Sequence, residues 1–193
     1  MKHEEDEDEF SREIDDILEN NPEKKKKVNG CRKGKSVERQ LCKLLNEHFN
    51  QPFSRSVGSG NRIHQVSTLS ESAKQVYSGD VSVPEGFKWV IESKGGYEDD
   101  MDFSNAVDGK LSKLDDFIKQ VSHDAEYTGR KPIICWKRNR KPWLAGIRLS
   151  DYPFSNIDIV FKNRLQYGEW FVVPLELLLK ETDYKFWFEG SKS

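Results

Sequence analysis

Cysteine is scarce. The chain carries Cys31, Cys42 and Cys135 in 193 residues, an odd number with no C-x-x-C pair. That argues against a disulfide framework and against a cysteine-based zinc site. It fits a reducing, intracellular compartment such as the cytoplasm or nucleoid. The four histidines, His3, His48, His64 and His123, are scattered and suggest no metal cluster. No apolar run approaches the length that spans a bilayer, so no membrane partner is expected. The start, MKHEEDEDEF, is acidic and unlike a secretory signal. No internal repeat is visible. Charged residues make up 33% and hydrophobic ones 35%, so a modest core lies under a highly charged surface. The length suits one domain of ordinary size. This charged, compact character would suit a bacteriophage or a prokaryote.

The net charge of −2 conceals an asymmetry. Residues 1–23 hold eleven acidic residues against Lys2 and Arg12, a net −9, which leaves +7 for residues 24–193. A basic body with an acidic arm is a common layout for proteins that meet nucleic acid, and also describes an ordinary protein with a solvated tail. Residues 1–9 are nearly all charged and are expected to be disordered. Residues 11–20 suit a short helix with Ser11 as N-cap, and residues 24–30 read as a basic linker. The expected organisation is a flexible arm over residues 1–30 and one folded domain over residues 31–193.

The stretch 79–94, GDVSVPEGFKWVIESK, dominates the folded part. It predicts a hairpin with VSV as one arm, a Pro84-Glu85-Gly86 turn and FKWVIES as the other arm. In the second arm Phe87, Trp89 and Ile91 share one face, because a strand has period two, and Glu92 and Lys94 share the other with Lys88 and Val90. The hairpin brings Asp80 back near Glu92, twelve positions on. Two carboxylates and an amine that converge in this way suit a divalent metal beside a phosphate. Mg²⁺ prefers carboxylate oxygens and keeps several waters, and a nearby ammonium can orient a water or stabilise developing charge.

Around this stretch, residues 36–49 predict a helix with Val37, Leu41, Leu44, Leu45 and Phe49 on one stripe, Ser36 as N-cap and Glu38 in the first turn. An acidic residue there also suits the helix dipole alone. Residues 53–57 suit a strand that leads into the loop Gly58-Ser59-Gly60-Asn61. Arg55, Ser56, Ser59 and Arg62 offer donors for phosphate oxygens. Residues 103–123 predict a long helix with Val107, Leu111, Leu114, Phe117, Ile118 and Val121 as its apolar stripe. The acidic loop before it does not have EF-hand spacing. Residues 132–147 predict a second hairpin whose apolar arm, Ile133 to Trp136, suits a strand covered on both faces. Its turn is basic, with Lys137, Arg138, Arg140 and Lys141 between Trp136 and Trp143, which fits a nucleic-acid edge or a solvated turn over core tryptophans. Residues 157–161 and 169–173 suit further strands, and Pro174 opens a last helix. Residues 184–188 are aromatic and are expected to pack on the body or on a second subunit. This order predicts an α/β domain with a central mixed β-sheet flanked by helices.

The Asp80-x(11)-Glu92-Ser93-Lys94 arrangement resembles the core motif of the PD-(D/E)XK nuclease superfamily, although Gly79 stands where that family often has Pro. The run GKSVERQLCKLL resembles the first helix of archaeal-type Holliday junction resolvases, in which a Glu completes the metal site; Glu38 matches it. Residues 55–60 resemble that family's Arg-Ser-x-Gly-Ser element, with Ser56 or Ser59 in the place of its assisting serine. The resemblance covers residues 33–147 and departs from the compact pattern at the insertion 63–79. It implies a restriction-endonuclease-like core and a Mg²⁺-dependent endonuclease, with Mn²⁺ able to substitute. Asp80, Glu92 and the Ser93 carbonyl would bind metal, with Glu38 contributing directly or through a water, and Lys94 would act in catalysis with them. Many superfamily members also place a Gln or Lys on the helix of residues 103–123 near the metal, which draws attention to Lys113 and Gln120. Branched DNA such as a four-way junction is the implied substrate and a homodimer the implied assembly. The alternatives are a restriction-type or other structure-specific nuclease, a non-catalytic DNA-binding module on the same scaffold, and an interaction protein that recruits partners through its acidic arm.

Overall fold

In the computed structural model of the chain, residues 30–56, 79–96 and 112–190 are described, the side chains of 30–33 and 112 aside. The short helix predicted over residues 11–20, the basic linker, the loop of residues 58–61, the insertion up to Ser78 and the acidic loop after Gly96 lie outside them.

Helix α1 (Gly30–Phe49) opens the described chain. It is followed by two-residue strands β1 (Ser54–Arg55) and β2 (Val81–Ser82), then by strand β3 (Trp89–Gly95). Helix α2 (Ser112–Thr128) leads into β4 (Lys131–Lys137) and β5 (Trp143–Arg148). A 3-10 turn over Leu149–Asp151 and helix α3 (Ile157–Val160) precede β6 (Leu165–Tyr167) and β7 (Trp170–Pro174). Helices α4 (Leu175–Glu181) and α5 (Tyr184–Trp187) close the fold.

Five strands form one sheet in the order β3-β4-β5-β7-β6. Strands β3 and β4 are parallel, with Glu92 opposite Ile134 and Lys94 opposite Trp136, and the other pairs are antiparallel. A parallel pair needs a crossover, and α2 is that connection. Alternation along β3 sorts its side chains between two cores. Trp89 and Ile91 join the larger core with Val37, Leu41, Leu45 and Phe49 of α1, Leu178 of α4 and Phe186 of α5. Val90 faces the other way, onto Leu114, Phe117, Val121 and Ala125 of α2. The result is the predicted mixed sheet flanked by helices. The aromatic tail packs on the body: Trp89 donates its indole N–H to the Phe186 carbonyl at 3.1 Å, and Phe87 bridges to Phe188.

Several boundaries differ from the sequence expectation. Helix α1 starts before Ser36, so Ser36 is not an N-cap and Glu38 is not in the first turn; the Ser36 hydroxyl instead lies 3.5 Å from the Gln40 amide one turn on. The helix runs through Gly34 without a break, so the capping signal at Ser36 is overridden. Helix α2 runs on to Thr128, past His123, and residues 103–111 lie outside the described residues. The first hairpin is not a ladder. Its turn forms, with the Phe87 amide donating to the Pro84 carbonyl, but β2 pairs with β1 through Arg55 opposite Val81. Residues 157–161 form a helical turn rather than a strand. Period two would put Ile157, Ile159 and Phe161 on one face, yet Phe161 is buried and Ile159 is 72% exposed. The edge strand β6, Leu-Gln-Tyr, is too short and polar to register as a strand from sequence. Among the described residues no helix is long and apolar enough to cross a membrane.

Gly95 decides how closely α1 seats on β3. A Cβ there would lie 2.7 Å from Val37 Cγ2, whereas one on Gly146 of β5 would meet only ordinary contacts at 3.7 Å and beyond. In urea unfolding, Gly95→Ala is expected to lower stability by roughly 1–3 kcal/mol through overpacking. Gly146→Ala is expected to stay within about 1 kcal/mol of the parent, since strand glycine is itself weakly destabilising.

Candidate functional site

Strand β3 is an edge of the five-stranded sheet, so backbone groups along one side of it lack a strand partner. Asp80 covers part of that edge. Its amide donates to the Ile91 carbonyl at 2.9 Å, and its Oδ2 accepts the Ser93 amide at 2.9 Å. The contact requires glycine before it. Gly79 has φ of +80°, and a Cβ there would lie 2.6 Å from the Ile91 carbonyl oxygen. Proline, locked near φ of −65°, cannot adopt this backbone. In a strand a residue's N–H and C=O point the same way, so the Ser93 carbonyl is directed to the edge that Asp80 occupies. The Ser93 hydroxyl is buried with no partner among the described residues.

Glu92 is buried beside Asp80 and pairs with the Lys94 ammonium. Lys94 also donates to Gln120 Oε1 at 3.0 Å and lies 4.9 Å from the centre of the Phe117 ring, so α2 holds it from one side. Burial pushes the Glu92 carboxyl up to about 8; the Asp80 charge adds to the rise and Lys94 offsets part of it. Glu38 approaches from α1, where Arg55 Nε of β1 reaches its Oε2 at 2.5 Å. Burial raises the Glu38 pKa against the Arg55 hydrogen bond, and Asp80 raises it further. Asp80 therefore acts on both neighbouring carboxylates, and the cluster is short of positive charge.

That shortage, the all-oxygen donor set and the edge-directed Ser93 carbonyl fit a hard divalent cation, which is often held by only one or two carboxylates. Among the described residues no three His, Cys, Asp or Glu side chains already converge as a complete cage. Asp80 and Glu92 with the Ser93 carbonyl are the residues that could hold such an ion. Glu38 is committed to Arg55 and is better placed to act through a water.

The remaining candidates are distributed differently. Ser56 is fully buried, its amide donates to the Asp80 carbonyl at 3.0 Å, and its hydroxyl lies 3.3 Å from that of Ser82. It braces the β1–β2 pair instead of presenting a donor to a phosphate. Ser59 and Arg62 lie outside the described residues. Lys137, Arg138 and Arg140 sit at the β4–β5 turn, where Lys137 donates to the Lys141 carbonyl at 2.7 Å and the Arg138 guanidinium lies 5.6 Å from the Trp136 ring. Two residues on α2 gain significance from the fold. Gln120 reaches Lys94, and Asp124, one turn further, has its pKa raised by burial and also by Asp80, against a lowering by His123. Asp124 carries no motif in the sequence; only its spacing of four from Gln120 could have drawn attention to it.

Two outcomes follow from this geometry. Gly79→Ala and Gly79→Pro are each expected to lower stability by roughly 1–3 kcal/mol in urea unfolding, because neither residue fits φ of +80°. The second concerns pH in EDTA. Glu92 binds a proton more tightly folded than unfolded, so its contribution is full below about 4.5 and is lost as pH rises to about 8. Glu92→Gln is expected to flatten that decline by roughly 1–4 kcal/mol across the window, measured by thermal unfolding at a series of pH values.

Residues 29–183 match the family described as "Phage putative PDDEXK endonuclease". Protein D14 of Escherichia phage T5 is 28% identical over 130 residues, which are 67% of this chain and 78% of that protein. A solved structure, that of the Holliday junction resolvase Hjc from Archaeoglobus fulgidus, is 14% identical with a TM-score of 0.36, over 75% of this chain and 86% of that one. The family match takes in most of the chain, including Glu38, Asp80, Glu92 and Lys94, and this protein belongs to that phage PDDEXK endonuclease family.

Proposed function

We propose that the protein hydrolyses phosphodiester bonds in DNA as a divalent-metal-dependent endonuclease, with Mg²⁺ as its ion and Mn²⁺ able to substitute. One observation carries this reading: Asp80, fixed across the edge of β3, stands beside the buried Glu92–Lys94 pair. When bound, a divalent cation would supply Lewis-acid chemistry here, toward the scissile phosphate and a water. Asp80 and Glu92 would hold the ion with the Ser93 carbonyl, and Glu38, fixed by Arg55, would orient a water. Lys94, held by Glu92 and Gln120, positions the attacking water or neutralises charge that develops on the phosphate. Lys137, Arg138 and Arg140, with Ser59 and Arg62 of the loop, contact the DNA backbone.

The preference for branched DNA, above all the four-way junction, rests on the resemblance at Glu38, at residues 55–60 and at residues 80–94. It entails a homodimer, since resolution needs two paired cuts. An intracellular, phage-encoded setting accords with the family and with the relative from phage T5.

The test is cleavage of a labelled four-way junction, a matched linear duplex and a single strand, with Mg²⁺ and with EDTA. Paired cuts in the junction alone, lost in EDTA, are expected. Glu92→Gln and Lys94→Ala are each expected to lower the cleavage rate at least ~100-fold. Equal cutting of all three substrates would discard the junction, and parent-like rates in both variants would discard the site.

A further inference from the structure

A second site lies around helix α1 from Glu38. A cleft of about 250 Å³ is lined by Ser36, Val37 and Gln40 of α1 and by Lys137, Arg138 and Arg140 of the β4–β5 turn, with Asn139 beside them. Its walls carry three cations and no carboxylate. Ser36 and Gln40 add a hydroxyl and an amide on an exposed helix face. The Arg138 Nε is buried with no partner among the described residues. A buried donor without an acceptor is costly unless a ligand supplies one. The turn also holds Arg140 at φ of +55°, a conformation that L side chains rarely adopt, and such strain clusters at ligand clamps.

The cleft is tied to the carboxylates through the sheet. Lys137 is opposite Gly95, the residue after Lys94, and its carbonyl accepts the Gly96 amide at 2.9 Å. The Trp136 indole donates to the Gly96 carbonyl at 2.7 Å, and the Arg138 guanidinium lies over that same indole. The basic turn is therefore held beside the end of β3 that carries Glu92 and Lys94.

We infer that this cleft seats a single phosphate group of the DNA backbone, other than the one cleaved. A guanidinium, a hydroxyl and a side-chain amide are the donor set that recurs on backbone phosphates. The inference rests on the nuclease reading for the identity of the phosphate's carrier. Its consequence is positional: a neighbouring phosphate gripped here sets the register of the strand that crosses Asp80 and Glu92.

The test is fluorescence anisotropy of a labelled DNA duplex in EDTA over a series of salt concentrations. Each phosphate contact on duplex DNA contributes about −0.9 to the slope of log K against log salt. Arg138→Gln and Gln40→Glu are each expected to make the slope about 0.9 less steep, and Arg138→Lys to preserve it. Lys180→Gln, on α4 and outside the cleft, is expected to leave it unchanged. Gln40→Glu alters an exposed helix position, so it reports on the cleft even if Arg138→Gln folds poorly. Parent slopes in both cleft variants, or no DNA binding by the parent protein, would overturn the inference. So would saturation of the cleft by inorganic phosphate, followed by NMR, with the DNA slope unaltered. Cleavage by the parent protein in Mg²⁺ is scored separately: its absence beside a changed slope removes the nuclease reading and keeps the phosphate seat.

Discussion

The bridge from Asp80 to the free edge of β3 is the contact on which the rest of the site depends. One residue uses its amide on Ile91 and its carboxylate on Ser93, and so fixes itself beside the strand that carries Glu92 and Lys94. Both bonds need the backbone of Gly79 to pass within van der Waals range of the Ile91 carbonyl, which a side chain would prevent. The carboxylate is thus placed by backbone hydrogen bonds. Such placement holds a group more firmly than a flexible side-chain contact, because little conformational freedom is left to lose.

What surrounds the bridge works against charge neutrality. Glu92 is nearly inaccessible, and burial and Asp80 both favour its protonated form. Lys94 compensates only in part, and Gln120 and the Phe117 ring keep it in position. On the other side Arg55 answers Glu38. Crowding carboxylates in a region of low polarity costs stability, and such perturbed groups are found more often where function needs them than where packing alone does. A raised Glu92 pKa translates this cost into a pH dependence of stability.

The two-sided construction also explains why the site needs the whole fold. Helix α1 supplies Glu38 and touches one face of the sheet, while α2 supplies Gln120 and Asp124 and covers the other. Strand β1 contributes Arg55 and pairs with β2, which leads directly from Asp80. The basic turn of β4–β5 stands beside the same end of β3. Anything that shifts α1 against β3, the contact gauged by Gly95 and Val37, moves the Glu38 side of the site relative to the Glu92 side.

Much of this was legible in the residues. Period-two alternation in residues 87–94 separated the core face from the Glu92–Lys94 face, since strand geometry alone dictates it. The helical stripe of Val37, Leu41, Leu45 and Phe49, the apolar arm of residues 133–136 and the aromatic tail likewise declared burial through local pattern. Asp80, Glu92 and Lys94 stood out by residue type and spacing, and Glu38 through the family resemblance. Long-range pairing was not. That β2 would choose β1 over β3, that Ser56 would be buried against Ser82, and that residues 157–161 would coil although rich in β-branched side chains depend on partners distant in sequence. The same holds for Asp124 and for the cleft that joins Ser36 and Gln40 to Arg138, whereas the resemblance had already drawn attention to Gln120. Local propensity and periodicity act over a few residues and are written into the chain. Which strand edge is filled, which polar atom is buried and which charges meet are settled only when packing closes the loops between them.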